Sequence, residues 1–294
     1  MQDSLLNLIQ KRVVLLDGAM GTELMHHGFT QGTCPELWNA EKPDIVMSIY
    51  KNYYKAGSDA VLTNSFGGSK LKLTSYGLEE QCYELNRKSA ELAAQIRPEG
   101  RFIGGSIGPT GQFLKPQGIY SEIDFEKAYL DQAKGLSDGG VDFLLIETQY
   151  DLQEARCAFK AAKKATDRPV FLTMTFNKTP RGFFTMMGNS IMNLINAFQD
   201  QDISGIGANC TLNSKDMADL IKIMREDTTL PLIAQANAGQ PEMDESGKVT
   251  YNQGIDNYVS FIPEIIKNGA NIIGGCCGTD PEYIERIAHI IPGK

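Results

Sequence analysis

Three sulfurs and two carboxylates are the residues of this chain whose types and placement suggest chemistry. Cys276 and Cys277 stand side by side in "NIIGGCCGTDP", and Cys210 closes "GIGANC". Neighbouring side chains in a strand point to opposite faces, so a working pair of sulfurs needs a strand end, where the chain can turn both toward one point. Thiolates bind zinc at about 2.3 Å, and a catalytic zinc keeps one of its four positions open. Three cysteines would form such an incomplete shell. Inert packed cysteines and a reactive dithiol are the alternatives, although C-x-x-C spacing is absent. Glycines on both sides of the pair favour a site, because they permit close backbone approach. His26 and His27 belong to no metal motif, and His289 falls in the helical stretch "YIERIAHIIPG".

An open position on zinc could take water or a thiolate. Three anionic sulfurs leave the metal electron-rich and a poor Lewis acid, which favours a thiolate held as a nucleophile at neutral pH. A zinc hydrolase would need a histidine or acid base beside the metal, and the three histidines lie away from the sulfur motifs. Asp17 and Glu147 each end an apolar run, where a buried carboxylate needs a partner that an α-ammonium would supply. Their bland readings are a loop-capping aspartate and a structural salt bridge. The turns "DGAMGTE" and "GSIGPTG" could offer N–H groups to an α-carboxylate. Neither is a P-loop or a dinucleotide fingerprint.

The elements that must bring these residues together can be read from periodicity. Short apolar runs recur at 13–17, 60–63, 101–106, 142–147, 169–174, 204–209, 231–235 and 271–275. Between most of them lie amphipathic stretches at helical spacing, 79–96, 124–138, 152–166 and 187–199. Runs without alternation, separated by helices, imply parallel strands buried on both faces. Eight such units predict an α/β fold, a (β/α)8 TIM barrel in one domain, with a doubly wound open sheet plus an added domain as the alternative. Glycines and polar residues crowd the C-terminal ends of the runs, the rim where barrels build their sites. The long polar segment 236–254 is a candidate lid or a mobile surface loop. The stretch 18–46 carries the only tryptophan, Trp38.

Composition narrows the partners. The 294 residues carry 28 basic and 36 acidic side chains, a formal charge of -8, with no basic block. That balance argues against nucleic acid and anionic membranes. No signal-like or membrane-spanning run occurs, and six scattered cysteines do not resemble a secreted disulfide framework. The expectation is a cytoplasmic protein with reduced thiols, in which Cys82 and Cys157 are packed inside helices.

The motifs "LLDGAMGTELMHHG", "GSDAVLTNSFGGS", "GSIGPTG", "IETQYDLQEA", "GANC" and "GGCCGTDPEYI" resemble the homocysteine S-methyltransferase family. Within it they are most similar to the N-terminal homocysteine-binding barrel of the cobalamin-dependent methionine synthases. The resemblance spans about 12–292, the core of a single homocysteine-binding barrel over 1–294. It implies a zinc-dependent methyltransferase that makes methionine, with Cys210, Cys276 and Cys277 as Zn2+ ligands and Glu147 meeting the homocysteine ammonium. Asp17 matches the acid of the family's first motif, and Ala19, Met20, Ser106 and Asn209 fall where the family lines its amino-acid pocket. It further implies methylcobalamin as donor, carried on a separate corrinoid protein or on C-terminal modules outside these 294 residues. The alternatives are a standalone enzyme using S-methylmethionine or a betaine, and, more distantly, a non-catalytic binding barrel.

Overall fold

The eight apolar runs form eight strands in the computed structural model, which describes residues 4–30, 32–243 and 249–294. They are β1 Val14–Leu15, β2 Ala60–Leu62, β3 Phe102–Ile107, β4 Phe143–Gln149, β5 Val170–Met174, β6 Gly205–Asn209, β7 Leu232–Ala236 and β8 Ala270–Gly275. Neighbours run β1-β8-β7-β6-β5-β4-β3-β2, and every pairing is parallel. Across the seam the Asp59 N–H donates to the Leu15 carbonyl at 2.7 Å, and the Leu62 N–H donates to Asp17 Oδ2 at 2.7 Å. The sheet is thus a nearly closed (β/α)8 barrel and not an open doubly wound sheet.

Each strand buries both faces, which is why its sequence lacks alternation. Inward residues such as Leu16, Leu62, Phe143, Leu145, Phe171 and Ile233 form one apolar cluster, closed by Leu5 and Ile9 of the helix Leu5–Lys11. Phe143 and Phe171 meet edge to face at 5.5 Å, and Gly104 of β3 leaves the space that the Phe143 ring fills. The outward faces pack against the helices in a larger cluster. Full burial of each such aliphatic or aromatic side chain contributes about 1.5–3 kcal/mol, so the scaffold has a core independent of its rim.

Helix boundaries follow capping chemistry. The stretch expected at 124–138 begins earlier, at Glu122, because Ser121 and Asp124 form a capping box. The one expected at 187–199 shortens to Ile191–Phe198, since a second capping box at Ser190 and Asn193 sets its start. Asp280 accepts the N–H groups of Glu282 and Tyr283 at 2.9 and 3.3 Å, so "TDP" just after the cysteine pair starts the helix Pro281–Ala288. Within 236–254, Pro241–Met243 pairs with Val249–Tyr251 as an antiparallel hairpin, and 244–248 of that stretch lie outside the described residues. Trp38 is buried edge-on against Phe29. No helix among the described residues is long and apolar enough to cross a membrane.

Candidate functional site

Cys210 follows β6 and the cysteine pair follows β8, so the barrel carries all three to one rim. Their sulfurs lie within 4.8 Å of one another, with Cys210 and Cys277 Sγ 3.8 Å apart. The neighbours do not alternate across a strand because β8 ends at Gly275. The Cys276 N–H donates to the Ala236 carbonyl at 2.8 Å, the Cys277 carbonyl accepts from Ala238 at 2.9 Å, and Gly278 turns the chain at φ 82°. A side chain at Gly278 would strike the Tyr251 ring, and its N–H donates to Thr22 Oγ1 at 3.1 Å, tying the first motif to the last. Cys210 sits at φ 64° and Thr211 at φ 52°, which swings the Cys210 sulfur inward from the strand end. Hydrogen bonds from Cys276 and Cys277 hold Cys210 far below the ordinary thiol range, and the same sharing pushes Cys276 and Cys277 up.

These residues fit a zinc ion. Two thiolates on tetrahedral zinc at about 2.3 Å each would stand about 3.8 Å apart, the separation of Cys210 and Cys277. Asn237 hydrogen-bonds to Cys210 while its buried Oδ1 has no hydrogen-bond partner, an orphaned acceptor that suits a cation beside the sulfurs. The phenol of Tyr251, delivered by the hairpin, hydrogen-bonds to Cys277.

Glu147 is buried near the C-terminal end of β4. Its Oε1 accepts from Ser106 Oγ at 2.5 Å and its Oε2 from Asn209 Nδ2 at 3.2 Å, with no basic side chain among the described residues bonded to either. Burial raises its carboxyl to about 7, against the Ser106 hydrogen bond and assisted by the negative charge on Cys210. The Asp17 carboxylate accepts from the Leu62 N–H at Oδ2, and its Oδ1 is buried with no hydrogen-bond partner among the described residues. Burial lifts Asp17 well above the carboxylate range, the Leu62 N–H opposes this, and Glu147 adds to it. Two buried carboxylates near one another, without a cation among the described residues, are an arrangement that would suit a positively charged group.

The sulfurs and Glu147 line a cavity of about 380 Å³, within the range of small-molecule sites. Ala19, Met20, Ser106, Glu147, Cys210, Cys276 and Cys277 all line it. Asp17 and Asn209 stand one layer back, each bonded to a lining residue, Leu62 and Glu147 respectively. Asn237 and Tyr251 fall in the 236–254 segment read as a candidate lid, but the sequence singled out neither of them, nor Thr148. Glu36 also lines the cavity, but both its oxygens are taken, by Gly67 N–H at 2.6 Å and Cys34 Sγ at 3.1 Å. Cys34, Cys82 and Cys157 are buried, and burial pushes each thiol up to about 12.

Comparison with known proteins places this geometry. A family profile described as homocysteine S-methyltransferase matches residues 14–291. The methionine synthase of Mycobacterium tuberculosis is 30% identical over 304 residues, covering 97% of this chain and 25% of that protein, and the Mycobacterium leprae methionine synthase is 29% identical with the same coverage. The chain thus spans about a quarter of the length of these curated relatives. Among solved structures, the homocysteine methyltransferase MmuM from Escherichia coli in its metallated form superposes with a TM-score of 0.78 at 23% identity, covering 95% of this chain and 96% of that one. Its oxidized form gives 0.79 at 22% identity with the same coverage. At such identity the superpositions speak for the barrel, while the profile match over nearly the whole chain carries the assignment: the chain belongs to the homocysteine S-methyltransferase family.

Proposed function

We propose that this barrel is a zinc-dependent methyltransferase that presents homocysteine as a thiolate to a methyl-corrinoid, yielding methionine. The observation that carries this reading is one cavity lined by both a three-sulfur cluster and the cation-poor carboxylate of Glu147, with a second such carboxylate, Asp17, one layer behind the wall. An amino acid whose sulfur and ammonium are a few bonds apart answers both.

Cys210, Cys276 and Cys277 would hold the zinc, which when bound supplies an electrophilic position that keeps an entering thiol deprotonated near neutral pH. Glu147 takes the ammonium. Before substrate enters, Ser106 and Asn209 hold the Glu147 carboxylate by a hydrogen bond to each oxygen. Ala19 and Met20, at the start of the helix Met20–His26, wall the pocket. A methyl-corrinoid brought to the pocket would supply the methyl group and keep the electron pair of the broken bond, while these residues would hold the substrate sulfur ready to take the methyl.

The donor is inferred from the rim. Phe66, Phe113, Ile119, Met186 and Met243 are exposed large apolar residues, and all sit on connections that leave the C-terminal ends of strands. Such a concentration on one face marks an interaction surface and suits a large donor on a second protein or module better than a small sulfonium enclosed in a pocket. The free cysteines and the acidic charge fit a reducing, cytoplasmic setting.

The test uses zinc-loaded protein, homocysteine and methylcobalamin under anaerobic conditions. The methylcobalamin spectrum should give way to that of cob(I)alamin, while S-methylmethionine reacts more slowly, and protein carrying C276A and C277A should neither retain zinc nor react. Rapid methionine formation from S-methylmethionine with no reaction of methylcobalamin would overturn the donor and leave the thiolate chemistry standing.

A further inference from the structure

Asn209 is fully buried and bonded on every side. Its Oδ1 accepts the Thr148 N–H and the Thr173 hydroxyl, both at 2.8 Å. Its amide nitrogen faces three acceptors: Thr148 Oγ1 at 2.7 Å, Glu147 Oε2 at 3.2 Å and Cys276 Sγ at 3.8 Å. An amide nitrogen has two hydrogens, so the three compete. Two of the competitors belong to different functions, the carboxylate beside the cavity and one of the three clustered sulfurs. The geometry is held by a strained backbone: Thr148 sits at φ 58°, and the only positive-φ non-glycines among the described residues are Thr148, Cys210 and Thr211, all around this amide. Strain confined to one place persists only where the surroundings impose it and marks function.

We infer that Asn209 is a positioning residue that couples recognition of the substrate ammonium to the electron density of the sulfur cluster. The inference rests on the reading of Glu147 as the ammonium partner. With the site free, the anionic Glu147 oxygen competes for an Asn209 N–H. When an ammonium pairs with Glu147, that oxygen becomes a weaker acceptor, and the N–H is released toward Cys276. A hydrogen bond to a thiolate withdraws charge from the sulfur, and partners behind a metal ligand tune the metal in this way. A metal held by less negative sulfurs is a stronger electrophile, so an incoming thiol is deprotonated more readily when it arrives attached to an ammonium. Specificity for an amino-acid thiol then arises in activation as well as in binding.

The coupling can be read without turnover. Cobalt(II) replaces zinc, and the thiolate-to-cobalt charge-transfer band reports the charge on the sulfurs. The probe is L-2-aminobutyrate, which carries the ammonium but no sulfur, with butyrate as its control and calorimetry to follow binding. In the wild-type protein 2-aminobutyrate should shift the band and butyrate should not. In Asn209→Ala the band should stay fixed while 2-aminobutyrate still binds. Asn209→Leu keeps the side-chain shape without any donor, and it should behave as the alanine variant does. A wild-type band that stays fixed while calorimetry shows the amino acid bound would overturn the coupling and spare the ammonium reading, and this arm needs no variant. An undiminished shift in either Asn209 variant would overturn it equally. Binding of 2-aminobutyrate as tight in Glu147→Gln as in the wild type would bring down the ammonium reading and the coupling together.

Discussion

Asp17 and Asp59 are both 1% exposed and belong to opposite ends of the same barrel, yet they are treated in opposite ways. Asp59 precedes β2 at the floor and is saturated: Arg12 reaches both its oxygens at 2.8 and 2.9 Å, Arg101 reaches Oδ1 at 2.6 Å, Lys294 reaches Oδ2 at 2.7 Å, and the Leu15 N–H adds a bond at 2.9 Å. Burial alone would raise its carboxyl, but the Arg12 hydrogen bonds and the Lys294 charge overcome it and pull it to about 2. Asp17, just past β1 at the rim, has one N–H and an oxygen with no hydrogen bond. A carboxylate closed off by its own chain serves the fold. One left incomplete in the same burial costs stability, as a group held for a ligand would.

The sharpest break of this contrast is at the floor. Asp59→Asn removes the anion shared by two guanidiniums and an ammonium, and breaking such a pair costs about 3–5 kcal/mol when it is buried. A value toward 3 is expected, since Arg12 and Arg101 keep partial access to water at 23% and 31%. Chemical denaturation should register the loss while homocysteine affinity, measured on folded protein, stays unchanged. An equal loss of affinity would mean that floor and rim are not separable. The wild-type contribution of Asp59 is present above its ordinary value of 3.8 and disappears as the pH falls through about 2.

Next comes the rim. Glu147→Gln should weaken homocysteine at least tenfold by calorimetry with zinc retained, because truncating one side of a buried charge pair costs about 2–5 kcal/mol. The same change should stabilise the ligand-free fold at pH 7. The native carboxyl at about 7 binds its proton more tightly than the unfolded one at 4.5, so its contribution to stability is lost as pH rises between those values. At 1.36 kcal/mol per unit the gain is bounded at about 3 kcal/mol. A variant both weaker in binding and less stable would make Glu147 a structural residue like Asp59. In the wild type, homocysteine binding should weaken as pH falls below about 7, the carboxyl being protonated where the ammonium needs its charge.

The smallest effect is expected at Thr148. A β-branched residue at φ 58° stores about 1–3 kcal/mol, which Thr148→Gly would relieve while losing the Asn209 bond and adding chain entropy. A net stabilisation of about 1 kcal/mol with several-fold weaker homocysteine binding is the signature of strain held for function. A destabilised protein would place that strain in the service of the fold.

The fold was legible because buried parallel strands write themselves as unalternating apolar runs, and all eight emerged within a residue or two of their expected places. Less legible were boundaries set by a few hydrogen bonds, as at Ser190, where the capping box decided against four apparently helical residues. The hairpin of Asn177–Thr179 with Gly182–Phe184 after β5 went unread, since six residues on an exposed loop leave no periodicity.

The sequence by itself determined the barrel, the three sulfurs and the two carboxylates, because strand spacing and residue chemistry are local properties that survive in one dimension. Tertiary structure alone decided that Asp17 stands starved and Asp59 sated, that Asn209 lies behind the pocket wall between Glu147 and Cys276, and that Asn237 and Tyr251 join the cluster. Those are matters of which groups meet after the barrel closes, and hydrogen-bond competition, desolvation and strain depend on distances of a few ångströms between residues far apart in the chain.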